Sequence, residues 1–266
     1  MIPLASTQIG LAWWPRAAVV TVGDMGELIE DEAQRAARLL DAQAKAVELF
    51  EEVERRGLLA PGVRETEASN AVRDLAAELF GVDRYWHKRI VRAGENTLRP
   101  YRENPPDRVI AGDDIVFVDF GPIFEEFEAD FGRTFVLGDD PVKLRLRDSL
   151  PVVWQAGREY FEAHPDVTGA ELYEHVTKLA AEAGWEFGGA HSGHLVGQFP
   201  HETIDGERIE SYIAPGSERP MRRPDRNGQT SHWILEVHLV DRERRIGGFF
   251  EELLDLGHER SGGVPD

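Results

Sequence analysis

At 266 residues the chain exceeds the usual single-domain length, yet α/β and barrel-like folds of this size often close around one substantial core. Forty-nine acidic against thirty basic side chains leave a formal net charge of −19, which repels phosphate backbones and anionic lipid, so neither nucleic acid nor a membrane surface is expected as a partner. There is no cysteine, which excludes a disulfide framework, a thiolate zinc site and a cysteine nucleophile, and leaves oxygen and imidazole to hold any metal.

The first residues, "MIPLASTQIGLAWWPRAAVV", lack the basic start and clean apolar run of a secretion signal, and no apolar stretch reaches the roughly 20 residues of a membrane span. A cytoplasmic protein is expected, with residues 1–25 as an N-terminal arm. From Gly26 to Gly57 leucine, alanine and valine recur at helical spacing among charges, which predicts a long amphipathic helix stopped by Gly57. A second helix is expected over "RETEASNAVRDLAAELFG", then a short strand over "HKRIVRAG" that ends in a Gly-Glu-Asn turn. The apolar run "DDIVFVDFG" predicts a buried strand, and "FEADFGRTFVLG" its antiparallel return. Two helices follow, Pro141–His164, expected to be disturbed at Pro151, and Gly169–Gly184. Residues 203–230 read as a long polar loop, either a functional lid or a mobile segment. Two late strands, "SHWILEVHLVD" and "GGFFEELLDL", close the pattern.

The sequence also repeats itself. Laying Pro61–Gly81 on Pro165–Trp185 at a constant offset of 104 matches Pro61 with Pro165, Val63 with Val167, Glu67 with Glu171, Val72 with Val176 and Leu75-Ala-Ala-Glu78 with Leu179-Ala-Ala-Glu182. Two helix-then-strand halves are implied; the alternative is the general likeness of amphipathic helices rich in Ala, Leu and Glu.

Five groups interrupt apolar, strand-like surroundings: Asp119, Asp130, His194, Glu236 and Glu251. An isolated charge there is costly unless paired or bound to a cation. Four carboxylates and one imidazole form a hard donor set, suited to two divalent ions such as manganese, iron or cobalt more than to a structural zinc. Taken singly, Asp119 and Asp130 could be turn or hairpin acids and His194 a hydrogen-bonded structural histidine. In "ILEVHLV", Glu236 and His238 share one strand face while Leu235, Val237 and Leu239 share the other. Glu251 and Glu252 point to opposite faces, so only one can face inward. Glu125, Glu126 and Glu128, between the two aspartates, are expected to be solvated charges.

In chain order these residues resemble the pita-bread metallopeptidases of the methionine aminopeptidase, aminopeptidase P and prolidase type. "GDDIVFVDFG" followed by "EADFGRTF" is similar to that family's two-aspartate hairpin, including Arg133 and Thr134, and "GHLVGQFPHE" to its histidine segment. "LEVH" lacks the family's usual Glu-Pro-Gly. The resemblance implies a pseudo-two-fold α/β (α+β) pita-bread fold, a curved antiparallel sheet covered by helices, forming a single catalytic domain over residues 1–266. It implies two divalent ions, manganese, iron or cobalt, with zinc as a further choice. Asp119 would chelate one ion, Asp130 and Glu251 would bridge both, and His194 and Glu236 would complete the second, with Glu236 also the general base. His201 would donate to the oxyanion and contact substrate. Where the family carries an upstream active-site histidine this chain has Pro100. His87 would fill the nearby space as a substrate contact, or stand as a surface strand-end histidine. The expected activity is aminopeptidase-like hydrolysis of an amide bond near the N-terminus of a peptide or small peptide-like substrate, in a protein close in size to methionine aminopeptidases and open to homodimer formation. The alternatives are a hydrolase of another C–N bond and an inactive binding protein.

Overall fold

Apolar side chains every three to four residues along the first segment of the chain dictate a helix with one buried stripe. The computed structural model describes residues 22–199, 209–225 and 228–257, with the side chains of the first helix from Glu32 onward. Helix α1 (Val22–Arg55) begins four residues before the expected Gly26, and its stripe of Ala42, Ala46, Leu49, Phe50 and Val53 is buried. Helix α2 (Glu65–Phe80) ends at Gly81, whose φ of 68° is the left-handed cap that glycine supplies without strain.

Strand β1 (Ile90–Ala93) leads into a 3-10 turn, Gly94–Leu98. Strand β2 (Ile115–Phe120) and strand β5 (Phe131–Val136) pair antiparallel with Asp119 opposite Gly132. Between them the chain makes a small separate hairpin, β3 (Ile123–Phe124) and β4 (Phe127–Glu128), turning at Glu125 with φ 58°. That hairpin corrects one expectation. Glu125 and Glu126 are exposed as expected, but Glu128 is buried at 1% exposure, because β4 is drawn inward by its backbone bond to the Gly197 carbonyl (3.3 Å).

Helix α3 (Pro141–Ala163) is capped by Asp140, which accepts from the backbone amides of Val142 and Lys143. It runs through Pro151 unbroken, because Pro151 lies on the exposed face, where water can meet the carbonyl that proline leaves without a partner. Helix α4 (Gly169–Glu182) follows, then strands β6 (Glu186–Phe187), β7 (Gly193–Val196), β8 (His232–Asp241) and β9 (Ile246–Leu253). The internal repeat is visible at the helix starts. Glu67 accepts from the backbone amide of Arg64 at 3.0 Å and Glu171 from that of Thr168 at 2.9 Å, while Val72 and Val176 are both fully buried.

One seven-stranded sheet joins the halves in the order β1-β2-β5-β9-β8-β6, with β7 also paired to β8. Alternation decides what each strand face does. Val116, Val118 and Phe120 join the apolar cluster of α1 and α2, and Leu235, Val237 and Leu239 join that of α3 and α4. Asp119 and Glu236, one residue out of phase, therefore turn to the opposite face.

The expected loop at 203–230 contains the 3-10 turn Ile209–Ser211 and two fully buried core residues, Ile213 and Met221. Its described part is thus packed scaffold. Ile213 exchanges backbone bonds with Ser192 and Gly193, both 2.8 Å, directly beside β7.

At the far end of β8 the buried His232 sits between two carboxylates, Nδ1 2.7 Å from Asp255 and Nε2 2.8 Å from Glu32, tying α1 to the sheet. Burial opposes charge on this imidazole, but the bonds to Asp255 and Glu32 outweigh it and raise its pKa. A raised pKa means the contribution is complete below the unfolded value of about 6.5 and is lost as pH rises through the folded value. Chemical denaturation at a series of pH values should show that loss above about pH 6.5, and in His232→Leu it should be absent, with stability about 1.5–3 kcal/mol lower on the acid side.

Candidate metal centre

Among the described residues, the six side chains of Asp119, Asp130, His194, Glu236, Glu251 and His87 come together around Asp130 on the sheet face away from the helices. Asp119 comes from the end of β2, Asp130 from the residue before β5, His194 from β7, Glu236 from β8 and Glu251 from β9. The pairings enforce the meeting: Gly132 lies opposite both Asp119 and Glu251, and Glu236 lies opposite Glu251. The sixth is His87, three residues ahead of β1.

Asp130 is at the centre. Its Oδ1 lies 3.1 Å from His87 Nε2 and its Oδ2 3.1 Å from His194 Nε2. His87 Nε2 is also 3.6 Å from Asp119, and His194 Nε2 3.5 Å from Glu236. Potential ligand atoms cluster in two overlapping groups, His87, Asp119 and Asp130, and Asp130, His194 and Glu251. Glu251 is 2% exposed, and its Oε2 is buried without a hydrogen-bond partner.

The choice between the two adjacent glutamates follows from β9. Glu252, on the other face, forms an ion pair with Arg133. The Arg133 guanidinium is held between the rings of Phe131 and Phe250, 3.8 Å from each, and also donates to the Glu251 carbonyl. Thr134 both donates to the Phe249 carbonyl (2.9 Å) and accepts from its amide (2.7 Å), closing the β5–β9 seam. The Arg-Thr pair after Asp130 thus fixes the strand that carries Glu251.

Close backbone approach explains two glycines. Gly193, at φ 138°, leaves only 2.0 Å between an added Cβ and the Ile234 carbonyl, so only glycine brings β7 this near β8. A Cβ on Gly121 would stand 2.2 Å from the His87 ring.

The electrostatics are those of acids crowded away from water. Burial, offset in part by His87, raises Asp119 to about 7. Burial likewise raises Glu236 to about 7 against the pull of His194. Glu251 is pushed well above the carboxylate range by burial and by Asp130, Glu236 and Asp119. Asp130 alone is lowered, because His87 and His194 overcome its burial. Burial disfavours charge on both of those imidazoles, yet their carboxylate neighbours hold each at about 9. Carboxyl oxygens crowded in this way around the imidazoles of His87 and His194 are the donor set that a multivalent cation relieves.

Residues 37–237 match the sequence profile of metallopeptidase family M24. The chain belongs to that family. An uncharacterized peptidase of Staphylococcus saprophyticus is 28% identical over 165 residues, 60% of this chain and 46% of that protein. A Xaa-Pro dipeptidase of Pyrococcus horikoshii is 25% identical over 182 residues, 65% of this chain and 51% of that protein. The chain therefore spans about half the length of these curated relatives. The methionine aminopeptidase of Rickettsia prowazekii shares the fold with a TM-score of 0.62 at 14% identity, over 82% of this chain and 91% of that one. The M24 fold is the mixed helical and antiparallel architecture described above.

Of the residues singled out in the sequence, Asp119, Asp130, His194, Glu236, Glu251 and His87 meet in this cluster. His201 lies outside the described residues. Pro100 is exposed, and its neighbour Tyr101 reaches the His87 ring at 5.9 Å between centroids. His238 faces the same side as Glu236 but donates to the Thr97 carbonyl at 2.8 Å, and burial lowers it to about 4. Sequence reasoning missed His191, whose Nδ1 is 3.5 Å from Glu236. A signal was present, since His191 stands 191 − 87 = 104 residues after His87, the offset of the repeat.

Because ionising Glu251 costs the folded state, chelator-treated protein should lose stability as pH rises from about 4.3 through the raised folded value. Denaturation midpoints of Glu251→Gln under the same conditions should lack that fall. Glu252→Gln, which loses the Arg133 pair instead, should keep the fall and be roughly 1–3 kcal/mol less stable throughout.

Proposed function

We propose that this chain is a dinuclear metal-dependent, aminopeptidase-like hydrolase that cleaves an amide bond near the N-terminus of a peptide. The observation that carries this reading is Asp130, a buried carboxylate with an imidazole on each oxygen and a partnerless Glu251 oxygen in the same cluster. Asp119 would hold one ion, Asp130 and Glu251 would be shared between two, and His194 and Glu236 would complete the second. Oxygen-dominated donors favour manganese, iron or cobalt, with zinc as a further choice. Such ions supply Lewis acidity at the scissile carbonyl and acidify a water to near neutral pH.

The protein groups do the rest. Glu236, buried beside His194 at 3.5 Å, is placed to take a proton from water and hand it to the leaving amine. His201, by the family resemblance, is the candidate donor to the developing oxyanion. His191 and Tyr212, whose rings lie 5.1 Å apart beside Glu236 and His194, would border the substrate.

Protein reconstituted with Mn²⁺ should carry two ions per chain by elemental analysis, and Asp130→Ala fewer than one. In a matrix of metals against peptide libraries, Glu236→Ala should lower kcat by about 10²–10⁴. Fewer than one ion on the wild-type chain, or no metal-dependent release of N-terminal residues from any library, would overturn the reading.

A further inference from the structure

Five residues serve the ligand set proposed above, and His87 stands beside it with the attributes of a sixth. Three independent features of this ring match those of His194. Each Nε2 lies 3.1 Å from one oxygen of Asp130, His87 on Oδ1 and His194 on Oδ2. Each Nδ1 lies 2.8 Å from the carbonyl of the following residue, Lys88 or Leu195. Both rings meet Trp86 edge-on, with centroids at 4.6 and 5.2 Å.

The second feature decides what the ring can do. A ligating histidine commonly donates its other N–H to a carbonyl, which fixes the tautomer and leaves the remaining nitrogen lone pair for a cation. With Nδ1–H donated to Lys88, Nε2 of His87 is that nitrogen once a cation displaces the proton it shares with Asp130, and it points at Asp130 and Asp119.

The spacing agrees. Two donors about 2.1 Å from one ion stand about 3.0 Å apart at a right angle and about 3.4 Å apart at a tetrahedral one. His87 lies 3.1 Å from Asp130 and 3.6 Å from Asp119, as His194 lies 3.1 Å from Asp130 and 3.5 Å from Glu236. The His87 side chain is 6% exposed, so it is not a ring free to swing to solvent. Gly121 keeps the room it occupies, since an added Cβ would enter the ring at 2.2 Å.

We infer that His87 is a metal ligand, its Nε2 completing with Asp119 and Asp130 the ion site opposite the one served by His194. This rests on the dinuclear reading above and extends it. A nitrogen on each side makes both positions mixed N,O sites. In this role His87 is a ligand in the cluster, and substrate recognition at this edge falls to neighbours such as Tyr101.

The test reads metal directly. Wild-type apoprotein titrated calorimetrically with Mn²⁺ or Co²⁺ should show two binding events. His87→Ala should keep one and weaken the other by about 100-fold or more, at least the cost of losing a group that merely orients a ligand. Two events of unchanged affinity in His87→Ala would overturn the assignment while leaving the dinuclear site standing. No binding by the wild type would instead remove the reading beneath it, and the assignment with it. A second measurement needs no variant. Proton NMR of the Co²⁺-loaded wild type should show two exchangeable, hyperfine-shifted imidazole N–H resonances, the Nδ1 protons of His87 and His194. One such resonance at full loading would overturn the assignment even if His87→Ala failed to fold.

Discussion

The structure depends on keeping mutually repelling carboxylates together in a place water barely reaches. Asp119, Asp130 and Glu251 are all under a tenth exposed, and Glu236 only slightly more. Brought together by hydrophobic folding alone, such groups would neutralise or drive the strands apart. Here the strands cannot part, because β5, β9 and β8 are also the spine of the sheet, covered on the other face by two apolar clusters. Folding energy collected along the helices is thus spent on charge density at the centre. The two imidazoles on Asp130 relieve part of it, and a divalent cation is the natural counterweight for the remainder.

Much of this was legible in the sequence because it rests on alternation and short spacing. The apolar run into Asp119 predicted its strand, and the period-two pattern around Glu236 predicted both the strand and the face of that acid. The 104-residue repeat named the two halves, and Glu67 and Glu171 do the same capping work in each. What was not legible depends on tertiary packing. Glu128 reads as a solvated hairpin acid until β4 is seen pulled against Gly197. Residues 209–225 read as loop because Ile213 and Met221 are isolated apolar residues without period, yet each fills the second core. Pro151 reads as a break until its exposure shows that nothing buried needs the lost hydrogen bond. The Glu251 and Glu252 pair could be separated only by Arg133, a partner 119 positions away that no local pattern connects to β9.

The shared family fold also limits what can be transferred to this chain. It occupies about half the length of the curated relatives it matches, and likeness at 14% identity to a methionine aminopeptidase speaks for the fold. The chemistry of the site therefore rests on this chain's own groups. Pro100 illustrates the point: read against the family it removes a histidine, whereas in the structure it is an exposed loop residue, and His87 brings an imidazole to the cluster from an earlier position.

The parts of the site differ in how firmly the fold holds them, and that difference maps onto what each can be asked to do. The acids and His194 stand on or next to paired strands, with backbones locked by close contacts such as Gly193 against the Ile234 carbonyl. A metal cluster needs this, since ligand positions wrong by even half an ångström lose the geometry. Tyr101, His191 and Tyr212 stand outside the long strands, at the edge of the cluster. A scaffold divided in this way can vary the side chains at the edge of the cluster while the paired strands that carry the acids stay in place.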